Sequence, residues 1–173
     1  MKTTAGAKVT GRRGLLALGL LGGGALLARG AAAAEACAPD AMAKIGALLL
    51  DRYVAAANAH DTSGFPELFT ADYIQHSGRG PSGLAAQIEN FRGIFARMPD
   101  VQLRVEDRII AGDKVVARTV LSATHTQPLQ GIAPTGRRFE LRTIDIWRVE
   151  NGKLAEHWDI VDVAGLQRQL KGE

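Results

Sequence analysis

The sequence predicts an α+β domain, and three observations carry the prediction. Apolar residues recur at helical spacing as far as Met98. Beyond Pro99-Asp100 they alternate with polar residues, the period of a strand with one buried face. Short glycine-containing turns join these alternating runs, so successive strands run antiparallel, and helices that precede such strands pack on one face of their sheet.

The helical part comes first. From Ala41 to His60, Met42, Ile45, Leu48, Leu49 and Val54 form one stripe, with Asp40 placed as N-cap. Asp61-Thr62-Ser63-Gly64 breaks that helix, and a short second one is expected at Pro66 to Phe69, followed by an extended Tyr73-Ile74-Gln75-His76. Gly78, Gly80, Pro81 and Gly83 make a loop. Ser82 is placed to cap a third helix, which runs to about Met98 with Leu84, Ile88, Phe91, Ile94 and Phe95 as its apolar stripe.

The strands follow. Val101, Leu103 and Val105 alternate with polar residues, Ala111-Gly112-Asp113-Lys114 reads as a turn, and Val115 to Thr126 is a second run rich in β-branched residues. Gln127 to Gly136 holds two prolines and two glycines and is a long loop ahead of the strand from Phe139 to Val149. Ala164 to Leu170 is expected to close the chain as a helix.

At 173 residues the chain has room for one such domain, over residues 40–173. Residues 1–36 read as an export signal: Lys2, Lys8, Arg12 and Arg13, an apolar run from Gly14 to Leu27, and small residues from Ala31 to Ala36, with cleavage after Ala34 or Ala36. The glycines in that run make it less apolar than a spanning helix of about 20 residues, so no stable membrane association is expected after cleavage. Residues 1–34 carry five of the 21 basic residues and none of the 18 acidic ones, which leaves 16 against 18, a formal charge of −2. The net +3 of the whole chain therefore belongs to the targeting segment, and no nucleic-acid partner is expected. Cys37 is the only cysteine, which excludes an intramolecular disulfide and a cysteine-rich zinc site. Its surroundings, Ala34-Glu35-Ala36, lack the apolar residue of a lipoprotein signal.

One hairpin, Thr143 to Asp162, concentrates the ionisable residues. Gly152 in Val149-Glu150-Asn151-Gly152 suits a three-residue loop that pairs Val149 with Lys153 and brings Asp145 opposite His157 and Thr143 opposite Asp159. Alternation then sets Asp145, His157 and Asp159 on one face with Phe139, Leu141 and Val161. Asn-Gly is equally a signal for a two-residue turn, which moves Asp145 off the face of Asp159. The longer loop is preferred because it gathers the polar residues. An apolar face holding carboxylates is a pocket wall with chemistry in it.

Several motifs together resemble the SnoaL-like polyketide cyclase, or ester cyclase, family of the nuclear-transport-factor-like superfamily. They are Asp72-Tyr73-Ile74-Gln75-His76, Gly112-Asp113-Lys114-Val115-Val116, the segment from Gly131 to Arg138, Ile144-Asp145-Ile146-Trp147-Arg148, and the segment from Gly152 to Asp159. The resemblance implies a cone: a curved, mostly antiparallel sheet with about three N-terminal helices on its concave face, often a homodimer through the outer face. It implies ring closure by intramolecular aldol condensation on a small apolar carbonyl ligand, without cofactor or metal. Asp159 corresponds to the family's acid/base aspartate, with Asp145 and His76 as further catalytic candidates.

Such chemistry needs a base beside the carbonyl and a donor for the enolate. Desolvation and a second carboxylate raise a carboxylate's basicity, which Asp159 near Asp145 would provide, with His76 or His157 as donors. His157, Tyr73, Phe91, Trp147 and Trp158 are the expected substrate-binding residues. Other uses stay open: Asp145 paired with Arg118 or Arg142, and His157 on the dimer face or satisfied in the core. His76, His125 and His157 lack the close spacing of zinc motifs, and neither a phosphate-binding glycine loop nor a serine nucleophile elbow is present. The expectation is an exported, periplasmic, cofactor-independent cyclase. The alternatives are a non-catalytic binder of an apolar ligand, and a hydrolase or dehydratase on the same scaffold.

Overall fold

The structure, a computed structural model, describes residues 39–173, with side chains from Ala41 onward. The export signal expected over residues 1–36 and the thiol of Cys37 lie outside the described residues. In chain order the elements are α1 (Pro39–Ala59), α2 (Phe65–Leu68), β1 (Phe69–Gln75), α3 (Leu84–Arg97), β2 (Gln102–Ala111), β3 (Lys114–Thr124), β4 (Arg138–Glu150), β5 (Lys153–Val161) and α4 (Val163–Lys171). The strands form one open sheet in the order β1-β5-β4-β3-β2. β2 to β5 pair antiparallel with their neighbours, and β1 joins the edge parallel to β5. This is the expected α+β architecture, helices first and a mostly antiparallel sheet after them.

The helices reach the sheet through specific contacts. A Cβ at Gly46 of α1 would lie 2.8 Å from Val115 Cγ2 and 3.0 Å from Ile110 Cγ2, so glycine lets the helix backbone settle onto β2 and β3. Asn58 then pins the end of α1 to β2, donating to the Leu103 carbonyl (2.9 Å) and accepting from its N–H (2.6 Å). Asp40 lies within α1, which already includes Pro39, and not ahead of the helix as expected of an N-cap. Ser82 does not cap α3 either: its hydroxyl accepts the Gln75 N–H (3.0 Å), and Gly83, at φ 102°, is the N-cap residue. The loop needs that hydroxyl to tie its two ends together more than the helix needs a cap. At the C-terminus Asp162 does cap, accepting from Gly165 N (2.7 Å) to start α4.

Two apolar clusters hold the layers together. Leu49, Leu50, Phe65, Phe69, Tyr73, Trp147 and Leu154 form one, with Tyr53 edge-on to both Phe69 and Phe91. Val101, Ala123, Phe139, Leu166 and Leu170 form the other, under α4. Among the described residues no helix is long and apolar enough to cross a membrane.

The hairpin corrects the sequence reading in an instructive way. Asn151 (φ 49°) and Gly152 (φ 73°) make a two-residue turn with both residues left-handed, and Glu150 pairs with Lys153. The three-residue loop is therefore absent. The register then slips: Val149 faces Leu154, but Arg148 faces Glu156, so Ala155 is an extra residue, a β-bulge. Leu154 and Ala155 are consecutive yet both buried, as a bulge requires. Beyond it Trp147 faces His157 and Asp145 faces Asp159, where the sequence reading had paired Asp145 with His157. Asp145 and Asp159 keep a common face despite the shorter turn.

Candidate active site

A cavity of about 560 Å³ lies against the inner face of the sheet. Alternation along three adjacent strands supplies its wall: Thr119 and Leu121 from β3, Phe139, Leu141, Thr143 and Asp145 from β4, and His157, Asp159 and Val161 from β5. Phe91, Ile94 and Phe95 of α3 face them, as the helical stripe predicts. The Ser77–Gly83 loop contributes Ser77, Arg79, Gly80 and Pro81 to the lining. The result is a largely apolar chamber with polar residues from the sheet, the loop and α3 in its lining.

Like charges directly opposite each other across two strands destabilise a sheet. Here each carboxylate has its own partners. Asp145 is 7% exposed and accepts on Oδ2 from the hydroxyls of Thr119 (2.8 Å) and Thr143, and on Oδ1 from His157 Nε2 (3.1 Å). The Asp159 side chain is also only 7% exposed; Arg79 Nη2 donates to its Oδ2, while its buried Oδ1 has no hydrogen-bond partner among the described residues. Both oxygens of Asp145 are thus engaged, and Asp159 keeps one oxygen uncommitted.

His157 is held at both ring nitrogens. The Ser77 N–H donates to Gln75 Oε1 (3.5 Å), which turns the Gln75 amide so that its Nε2 donates to His157 Nδ1 (3.1 Å). Its proton then sits on Nε2 and goes to Asp145. Trp147 stacks on the ring (centroids 4.8 Å, planes 8° apart) and locks it further. The same assignment bears on cations. One ligand atom each of Asp145, His157 and Asp159 lie within 4.8 Å of one another, a possible metal-binding group. With Nε2 protonated, the imidazole presents no lone pair toward that point, and only the carboxylates would serve a metal there.

Asp145 also acts on two phenols, that of Tyr53, which lines the cavity from α1, and that of Tyr73. Burial first, and then the nearby Asp145 charge, raise the pKa of Tyr53 and of Tyr73 above the ordinary tyrosine value. Both remain neutral hydroxyls. Tyr73 and Trp147 are fully buried in the apolar cluster between helices and sheet, so neither lines the cavity as expected of them.

His76 and Trp158 lie outside the cavity as well. Trp158 precedes Asp159 and so points to the opposite face of β5. His76 stacks on it (4.4 Å, 3°) and bonds Glu156 Oε2 through Nε2 (2.7 Å), and Lys114 Nζ lies 5.6 Å from the Trp158 ring. Of the residues named from sequence, the structure brings together Asp145, His157, Asp159 and Phe91. The ion pairs considered for Asp145 do not form: Arg118 pairs with Glu106 and Arg142 with Glu140 (3.1 Å).

Among the polar residues of the site that the sequence reading did not single out are Arg79, Gln75, Thr119 and Thr143. Thr143 lies two residues from Asp145, so alternation alone would have put it on the same face. Thr119 stands opposite Thr143 once the β3–β4 register is known. Arg79 has no periodic signal, because it sits in a glycine loop.

A family model described as SnoaL-like polyketide cyclase matches residues 47–170. The nogalonic acid methyl ester cyclase of Streptomyces nogalater is 32% identical over 126 residues, covering 68% of this chain and 90% of that one. The aklanonic acid methyl ester cyclase DnrD of Streptomyces peucetius is 30% identical over 130 residues, covering 70% and 88%. Among solved structures, TsrD from Streptomyces laurentii aligns with a TM-score of 0.69 at 31% identity, over 75% of this chain and 97% of that one. Wild-type IdmH from Streptomyces antibioticus aligns with a TM-score of 0.65 at 29% identity, over 73% and 98%.

Proposed function

The chain belongs to the SnoaL-like polyketide cyclase family, and from that premise we propose that it closes a ring by intramolecular aldol addition with Asp159 as acid and base. The observation that carries the reading is the uncommitted, buried Oδ1 of Asp159 on the wall of an apolar cavity. A carboxylate in water is too weak a base for a carbon acid, and an apolar surrounding with a second carboxylate opposite strengthens it.

The step balances without any co-reactant. Oδ1 of Asp159 takes a proton from the carbon beside one carbonyl, and the enolate carbon bonds to a second carbonyl carbon of the same molecule. The electron pair of that carbonyl moves to its oxygen, which takes the proton back from the carboxyl group of Asp159. Substrate and product are isomers. By extension from the methyl ester cyclases to which the chain is similar, the substrate is the methyl ester of a polyketide acid with a largely apolar body that suits the lining. The paired Arg12-Arg13 ahead of the apolar run resembles a twin-arginine signal, which carries folded proteins across a membrane, and so supports export of the folded enzyme. Ile144 and Ile160, opposite one another on β4 and β5 and 43% and 77% exposed, support pairing of two copies through the outer face.

The test is conversion of an aromatic β-dicarbonyl methyl ester to a product of unchanged mass, followed by liquid chromatography and mass spectrometry. Asp159→Asn is expected to lower turnover by about 10²–10⁴, the usual contribution of a positioned acid or base, while leaving the circular dichroism spectrum in place. Turnover equal to the parent protein's would remove Asp159 from the reaction.

A further inference from the structure

We propose that Arg79 is a substrate-operated latch on Asp159: an anionic oxygen of the incoming ligand takes the guanidinium from the carboxylate, and the ligand is selected by carrying that oxygen. The proposal rests on the reading of Asp159 as the base and adds the recognition chemistry that brings the base into use.

The geometry points this way on three counts. The Asp159 side chain is 7% exposed while its partner Arg79 is 50% exposed, so the pair runs from the wall out to solvent. Only Nη2 of the guanidinium is engaged among the described residues, which leaves the other donors of its planar fork open to a carboxylate or phenolate. The free Oδ1 of Asp159 is buried, and Ser77, Arg79, Gly80 and Pro81 of one loop line the cavity into which Asp159 faces. Drawing Arg79 toward a ligand uncovers the carboxylate and removes the cation that weakens it as a base.

The loop is built to permit that movement without unravelling. Gly83 N donates to the Tyr73 carbonyl (2.6 Å) and Ser82 Oγ accepts the Gln75 N–H (3.0 Å), so both ends are tied to β1. Arg79 N donates to Ser77 Oγ (3.3 Å) within the span. Arg97, at the end of α3, lines the same cavity and has no ion pair among the described residues. It supplies a second positive charge that makes no contact with Asp159, and so serves as a comparator.

Isothermal titration with 2-naphthoate and with methyl 2-naphthoate, two-ring probes that differ only in charge, tests the latch. The parent protein is expected to bind the anion about tenfold or more tightly than the ester, and Arg79→Gln to lose that preference, as expected of a charge-assisted hydrogen bond. Arg97→Gln keeps it. Asp159→Asn is expected to bind naphthoate more tightly than the parent, because the carboxylate no longer competes for the guanidinium, and the gain vanishes in the Arg79→Gln/Asp159→Asn double variant. Equal loss of preference in the two arginine variants, a gain from Asp159→Asn that survives without Arg79, or no binding of either probe overturns the latch. None of these outcomes touches the turnover test of Asp159, so failure of the latch and failure of the base are distinguishable.

Discussion

Asp145 and Asp159 stand directly opposite each other on adjacent strands and share no hydrogen-bond partner. One is held by two hydroxyls and an imidazole, the other by a guanidinium from a loop. The division suits the function proposed above, in which Asp145 fixes the wall and Asp159 meets the ligand.

Asp145→Asn should therefore read out mainly in stability. The variant keeps the shape but turns a charged acceptor of donors from Thr119, Thr143 and His157 into a half-donor, leaving at least one buried group unmatched. A loss of about 1–3 kcal/mol in urea denaturation is expected, with a smaller fall in turnover than in Asp159→Asn. A larger fall in turnover with unchanged stability would reverse the two roles.

The bulge makes a prediction that runs against intuition. Deleting Ala155 leaves Arg148 facing Glu156 and Asp145 facing Asp159, because Ala155 is the residue without a partner. That variant should fold and retain turnover. Deleting Trp158 moves Asp159 opposite Ile146 and turns its carboxylate to the outer face, so turnover is lost. Circular dichroism and the cyclisation assay on both variants decide the matter.

Much of this was legible in advance, and the reason is periodicity. Period-2 alternation from Phe139 to Asp145, and from His157 to Val161, put the carboxylates and the imidazole on the cavity face. The bulge left no trace in that pattern, because Ala155 is small enough to be buried beside Leu154 without disturbing the apolar rhythm. Two errors of one residue each, a turn one residue too long and a missed extra residue, added to a shift of two, which gave the right face with the wrong partner. His76 went the other way: it follows Gln75 at the end of β1, and it is the Gln75 side chain that reaches into the wall. Arg79 was invisible because a glycine loop carries no repeat from which to infer direction.

The buried phenols set the alkaline limit of stability. Burial and then the Asp145 charge raise Tyr73 above its ordinary pKa of 10.0, and Tyr53 shifts in the same direction. Below about pH 10 both folded and unfolded chains hold these protons and the contribution is intact. Above it the unfolded chain releases protons that the folded chain retains, so stability falls as pH rises. Urea midpoints measured from about pH 9 to 11 should decline, and less steeply in Tyr73→Phe. An unchanged slope would mean that Tyr73 ionises freely in the folded protein.

Pairing through the outer face is open to a single substitution. Ile160→Lys sets a charge beside Ile144, at a residue 77% exposed in one copy, where it costs little stability. Sedimentation velocity should show a fall from dimer to monomer mass with an unchanged melting temperature per chain. A monomeric parent protein removes the outer-face dimer.

Asp159 is carried by an inner strand, whereas Arg79 belongs to a loop anchored at both ends to the edge strand beside it. Strand positions here are bound by alternation and by neighbours on either side, and a one-residue slip there reverses a whole face. The loop between its anchors obeys no such constraint and accepts changes of length and residue. Substitutions between Ser77 and Pro81 can therefore change what the loop presents to the cavity while Asp145 and Asp159 stay in place on their strands.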